Sequence, residues 1–91
     1  MIRQAHKTLS TTTPVELTFE DSINGTNTLI IQNISDTDYI YIGNSFVSSS
    51  EYGFLLYPRQ AFTAELRPSD KLYAVASGAI AAVCMSIERA T

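Results

Sequence analysis

The feature that most constrains this chain is how its apolar runs are cut. Between residues 29 and 76 every apolar run is short and every break is a turn residue. The stretch reads TLIIQNISDTDYIYIG, then NSFVSSSEYG, then FLLYPRQAFTAELRPSDKLYAVA. Runs this short, with period-two alternation, build strands rather than helices. We read the stretch as two alternating hairpins on either side of a loop spanning 43–53, and the chain as all-β.

Upstream, residues 1–6 carry no periodicity and read as an extended arm. TLSTTT, rich in β-branched residues, carries the arm to Pro14, so 1–14 is assigned to the arm and 15–91 to the folded domain. VELTFE then alternates Val15, Leu17 and Phe19 against Glu16, Thr18 and Glu20, as a half-buried strand does. Pro14 cannot donate to a central ladder, which suits a strand start or an edge. Residues 21–27 form a loop in which Asn24-Gly25 supplies positive-φ turn chemistry.

The next strand, 28–34, is apolar on both faces around Ile30 and Ile31, which marks it as central. A turn at Ser35-Asp36-Thr37-Asp38 returns the chain as Tyr39-Ile40-Tyr41-Ile42, with isoleucines on one face and tyrosines on the other. After the polar loop, 54–57 is a short strand ended by Pro58, and 61–66 turns Phe62, Ala64 and Leu66 inward. In Arg67-Pro68-Ser69-Asp70 the proline pre-sets φ for a turn. Residues 72–76 and 80–87 read as a last hairpin closed at Ser77-Gly78. Alanine favours a helix near the C-terminus, but Val83, Met85 and Ile87 alternate with Ala82, Cys84 and Ser86, and we assign strand. About eight short strands at regular spacing make a single small β-sandwich, jelly-roll-like or immunoglobulin-like.

Composition narrows the function. The net charge is −3, and the six cations (Arg3, Lys7, Arg59, Arg67, Lys71, Arg89) are scattered, whereas nucleic-acid binders cluster theirs. The single cysteine, Cys84, excludes an internal disulfide and a cysteine-based zinc site, and its apolar surroundings make it a small core hydrophobe. MIRQAHKTL has no apolar signal region and no run approaches a membrane span, so the expectation is a protein made in a host cytoplasm with no membrane partner. On that reading the glycosylation patterns Asn24-Gly25-Thr26 and Asn33-Ile34-Ser35 are chance matches.

Catalytic chemistry finds little to work with. A general base needs a positioned nucleophile or an orienting carboxylate, and the one histidine, His6, lies in the arm. Asp36 and Asp38 flank Thr37 and could touch Ca²⁺, but a calcium loop needs several more oxygens, and an Asx-type turn explains the pair. The four glycines (Gly25, Gly43, Gly53, Gly78) each stand alone at a turn, so no phosphate loop exists. We therefore expect no enzyme, no metal and no cofactor. The aromatics offer more. Tyr39 and Tyr41 share a strand face, Phe46 and Tyr52 lie in or beside the loop, and Tyr57 ends the next strand. They either cover the core or present a protein-binding surface, since aromatics give large contact area at low entropy cost. Sugar stacking is set aside here because tryptophan is absent and nothing in the sequence places polar partners around a ring.

The combination of IQNISDTDYIYIG (31–43), Gly53, LLYP (55–58) and LRPSDKLYAVASG (66–78) before a Val/Ile-rich last strand resembles a small β-domain recurring in structural proteins of tailed-bacteriophage virions. The resemblance spans roughly residues 29–88; residues 1–14 match nothing, and Arg59 stands where the pattern has glycine after proline. It implies a non-enzymatic virion component on the capsid surface, a decoration (cement) protein that binds and stabilises the major capsid protein lattice. The alternative is a tail or fibre accessory module for host or carbohydrate recognition. The resemblance also allows a homo-oligomer, a trimer at threefold positions among the options. Segment 7–13 could add as a strand to a neighbour, and many copies on a lattice make weak single contacts sufficient. The contact residues expected are Ile2, Arg3, His6, Lys7 and Leu9 in the arm, with Tyr41, Phe46 and Tyr52 near the loop.

Overall fold

The computed structural model describes residues 2–18, 26–67, 70–78 and 80–89. Among them the chain is all-β: β1 (Ile2–Thr8), β2 (Val15–Glu16), β3 (Thr26–Asn33), β4 (Ile40–Gly43), β5 (Phe54–Leu56), β6 (Ala61–Leu66), β7 (Tyr73–Ala76) and β8 (Ala81–Arg89). The strands form two four-stranded antiparallel sheets, in the orders β1-β8-β3-β6 (sheet A) and β2-β7-β4-β5 (sheet B).

These orders obey one rule. The first strand pairs with the last, the second with the seventh, the third with the sixth and the fourth with the fifth. The chain is doubled back on itself at residues 44–53, and the doubled ribbon is rolled so that alternate pairs fall in opposite sheets. That is the jelly roll among the sandwich arrangements. It leaves one sequential hairpin, β4–β5, on the expected loop.

The expected hairpin of 72–76 with 80–87 is corrected: β7 lies in sheet B beside β2 and β4, while β8 runs between β1 and β3 in sheet A. At the end of β7 the Ala76 N–H goes to the Ser10 carbonyl and the Ser77 N–H to the Tyr39 carbonyl. Ser77-Gly78 therefore carries the chain across the sandwich instead of folding it back. The turns at 34–39 and 57–60, and the connection from β6 to β7, likewise join strands of opposite sheets.

The arm is corrected as well. Residues 2–8 pair with β8 over seven positions, from Ile2 opposite Ile87 to Thr8 opposite Ala81, and form an edge strand of the body. Its period-two pattern is carried by Arg3, Ala5 and Lys7 turned toward the interior and half-buried, with Ile2, Gln4, His6 and Thr8 exposed. Charged side chains pointing inward are one way an edge strand is kept from pairing with other chains. The strand expected at 15–20 is described only as β2, after which Leu17 is fully buried and donates its N–H to the Leu72 carbonyl. The expectations on Phe19, Glu20, the Asn24-Gly25 loop and Pro68 lie outside the described residues.

The interior is one cluster. Leu29 and Ile31 of β3 meet Ile40 and Ile42 of β4, with Leu9, Leu17, Leu56, Leu66, Ala74, Ala76, Ala82 and Cys84 around them. Each buried Leu or Ile contributes about 1.5–3 kcal/mol relative to exposure. On β8 the small side chains Ala82, Cys84 and Ser86 face inward, and Val83, Met85 and Ile87 stand half-buried on the other face. At one edge of the sandwich, Phe54 of β5 and Phe62 of β6 close the gap between the sheets with ring centroids 4.4 Å apart. Phe62, Ala64 and Leu66 face inward as expected.

Candidate interaction face

The outer face of sheet B is built by alternation. Because Ile40, Ile42, Leu56 and Ala74 point inward, Tyr39, Tyr41, Tyr57 and Tyr73 fall on the opposite side. Tyr52, at the end of the loop, joins them through a tilted contact with Tyr41, centroids 5.1 Å apart at 49°. Tyr39 and Tyr57 make a second pair, 5.4 Å apart at 58°. All five tyrosines of the chain thus gather on one side of the molecule. Tilted pairs at these distances are a favoured ring geometry, worth about 0.5–1.5 kcal/mol beyond the area they bury.

The loop at the end of this face is held by its own hydrogen bonds. Asn44 Oδ1 accepts the Phe46 N–H at 2.9 Å, and the Asn44 carbonyl accepts the Val47 N–H at 3.0 Å. Ser48 and Glu51 exchange both backbone bonds, Ser48 Oγ accepts the N–H groups of Ser50 and Glu51, and the Gly53 N–H returns to the Ile42 carbonyl at 2.8 Å. Val47 is tucked in, 3% exposed, against Gly43, where a Cβ would lie 3.2 Å from Val47 Cγ2. Phe46, beside it, is 82% exposed. A fixed loop that buries one apolar residue and presents a phenylalanine to solvent gains nothing in folding from the second.

The opposite end of the face is a pair of turns bolted together by Asn33. This side chain is fully buried. Its Nδ2 donates to the carbonyls of Asp38 (2.8 Å) and Tyr57 (3.1 Å), with Leu56 at 3.4 Å, and its Oδ1 accepts the Ser35 N–H at 3.0 Å. Its own N–H reaches the Gln60 carbonyl at 2.9 Å. With its amide enclosed and fully bonded, Asn33 is no glycosylation acceptor in the folded chain. The turn at 35–38 is shaped by Ser35 Oγ, which accepts the N–H groups of Thr37 and Asp38. Its two carboxylates have separate partners: Asp38 accepts the Ser77 hydroxyl, and Asp36 accepts Arg59 Nε at 2.6 Å.

Arg59 is the one described non-glycine residue with positive φ, at 66°. It follows Pro58 in a tight turn in which the Gln60 N–H returns to the Tyr57 carbonyl at 3.1 Å, the position where glycine is the default. A side chain there costs about 1–2 kcal/mol. The ion pair with Asp36 joins groups 62% and 75% exposed, and exposed pairs return about 0.2–1 kcal/mol. The backbone cost exceeds the return. Arg59 is therefore not explained by stability.

The expected contact residues do not form one surface. Tyr41 is half-buried and Tyr52 45% exposed on the tyrosine face, with Phe46 at the adjoining loop. Ile2, 66% exposed, and His6 lie on the outer face of sheet A, on the other side of the sandwich. There a groove of about 400 Å³ runs over Val83 and Met85 between Gln4 and His6 on one rim and Ile30 and Gln32 on the other. Arg3 and Lys7 turn inward. Leu9 is corrected outright: at 2% exposure it belongs to the core and can touch no partner. What sequence reading missed is that Asn33, Asp36 and Arg59 join two turns, through partners 23 or 24 residues away. The available signal was Arg59 directly after Pro58, the turn position that takes positive φ. Among the described residues no three metal-ligating side chains come together, and no helix is long and apolar enough to cross a membrane. Burial pushes the Cys84 thiol up to about 11, against a smaller opposite pull from Lys7.

No protein-family model, curated protein or solved structure matches this chain.

Proposed function

We propose that this chain is a non-enzymatic virion structural protein, a capsid decoration protein that holds to the major capsid protein lattice through the loop end of the tyrosine face of sheet B. The observation that carries the contact is the loop at 44–53: Phe46 stands 82% exposed on a loop fixed by its own hydrogen bonds, beside the Tyr41–Tyr52 pair. Aromatic anchors held rigidly lose little entropy on docking, and they are the residue types that dominate interface energetics. The virion setting rests on the resemblance of residues 29–88 to phage structural β-domains. A small sandwich repeated on a lattice needs no tight single contact.

The test is co-sedimentation of the purified chain with empty particles that lack it, read as copies bound per particle. Saturation at a number fixed by lattice symmetry, lost in Phe46→Ala, is the expected result. Absence of binding by the folded wild-type chain removes the capsid reading and leaves the tail or fibre alternative.

A further inference from the structure

The corner formed by the turns 35–38 and 57–60 has a composition that the loop end of the tyrosine face lacks. The Tyr39–Tyr57 ring pair is exposed, at 39% and 55%. The Asp36–Arg59 ion pair belongs to the same two turns, Asp36 three residues before Tyr39 and Arg59 two residues after Tyr57. Buried Asn33 locks the two turns against each other, so rings and ion pair are presented on one rigid support.

Chemically the corner carries an aromatic pair and, on the same two turns, one strong donor and one strong acceptor with no net charge. Among the described residues Arg59 uses only Nε on Asp36 Oδ1, which leaves the two Nη groups as donors and Asp36 Oδ2 as an acceptor. A second carboxylate arriving here would meet an arginine already neutralised and Asp36 beside it. A hydroxyl, donor and acceptor at once, meets both halves of the pair. The C–H face of a sugar ring, slightly positive, suits the negative face of a tyrosine. The rings are tilted by 58°, so their faces do not lie in one plane.

We propose that this corner is a binding site for a neutral saccharide, with Tyr39 and Tyr57 holding the ring and Asp36 and Arg59 sharing its hydroxyls. This accounts for Arg59 at a backbone position where glycine is free of strain: the turn carries the guanidinium because the guanidinium is used. The polar partners whose absence from the sequence argued against sugar stacking are supplied by residues 23 apart in the chain. The site stands apart from Phe46 and the Tyr41–Tyr52 pair and does not rest on particle binding.

The experiment is a titration of the 15N-labelled chain with methyl glycosides of glucose, galactose, mannose, N-acetylglucosamine and fucose. It is read by amide shifts and by saturation transfer to sugar protons. At least one glycoside is expected to bind at millimolar affinity, with amide shifts confined to residues 35–39, 57, 59, 60 and 77. Arg59→Gly fits the turn without strain and should stay folded, so its loss of binding is interpretable. The expected weakening is about tenfold or more, one hydrogen bond to a charged group. Absence of binding across the panel, equal binding by Arg59→Gly, or shifts mapping to another face each overturns the proposal.

Discussion

Replacing Asn33 by alanine should cost more than any other single polar substitution among the described residues. The side chain is fully buried and makes two donor bonds under 3.2 Å, to Asp38 and Tyr57, and accepts one from Ser35. Each net bond is worth about 1 kcal/mol, and a buried carbonyl or N–H left without a partner costs about 1–3. The three bonds sum to roughly 3 kcal/mol, before any contribution from orphaned partners or from the longer Leu56 contact. A chain of this length has a stability of roughly 5–14 kcal/mol, so the loss is a sizeable fraction of the total. At about 4–8 °C per kcal/mol for a small domain, Tm should fall by roughly 12–24 °C. Thermal unfolding followed by circular dichroism measures it, with Ser35→Ala as the milder companion because its hydroxyl bonds are partly exposed. A fall of less than about 1 kcal/mol for Asn33→Ala would mean that water replaces the amide, and the idea of a bolt between the two turns would be wrong.

Other outcomes rest on the same geometry. Arg59→Gly should leave stability unchanged or raise it by up to about 1 kcal/mol, strain relief of about 1–2 outweighing the exposed ion pair; a clear drop in denaturant midpoint would show the pair worth more than the strain. The Cys84 thiol keeps its proton to higher pH in the fold than unfolded, so unfolding releases a proton between pH 9 and about 11. Stability should therefore fall across that window by roughly 1–3 kcal/mol relative to a Cys84→Ala reference, as urea unfolding at stepped pH would show. In Gly78→Ala the new Cβ would sit 2.8 Å from Asp38 Oδ1 and turn the carboxylate away from Ser77, a loss of about 1 kcal/mol or less in the same assay, one exposed hydrogen bond. Phe46→Ala should change stability by less than about 0.5 kcal/mol while weakening particle attachment about tenfold or more.

Period-two alternation was legible wherever one face is buried. Ile40 and Ile42 against Tyr39 and Tyr41, and Phe62, Ala64 and Leu66 against Thr63 and Glu65, stand as the pattern required. Strand partners were not legible, because a rolled ribbon pairs β1 with β8 and β3 with β6, and local turn chemistry does not say whether a turn folds back or crosses between sheets. Ser77-Gly78 suits both. In β1 the alternation was hidden by Arg3 and Lys7, charged residues on the inward side, so a strand looked like an arm. Asn33 reads as a polar strand end until the two turns it joins are brought together. Arg59 was the exception, visible as a residue out of place and explained only when its φ of 66° and its partner Asp36 were known.

The most direct measurement is a density map of particles carrying the bound chain, at a resolution that separates the two sheets. The loop end of sheet B should face the shell, with Phe46 and the Tyr41–Tyr52 pair buried in the contact and both the Tyr39–Tyr57 corner and the groove of sheet A open to solvent. A chain docked through sheet A or through the edge of β1, with Phe46 still exposed, would contradict it.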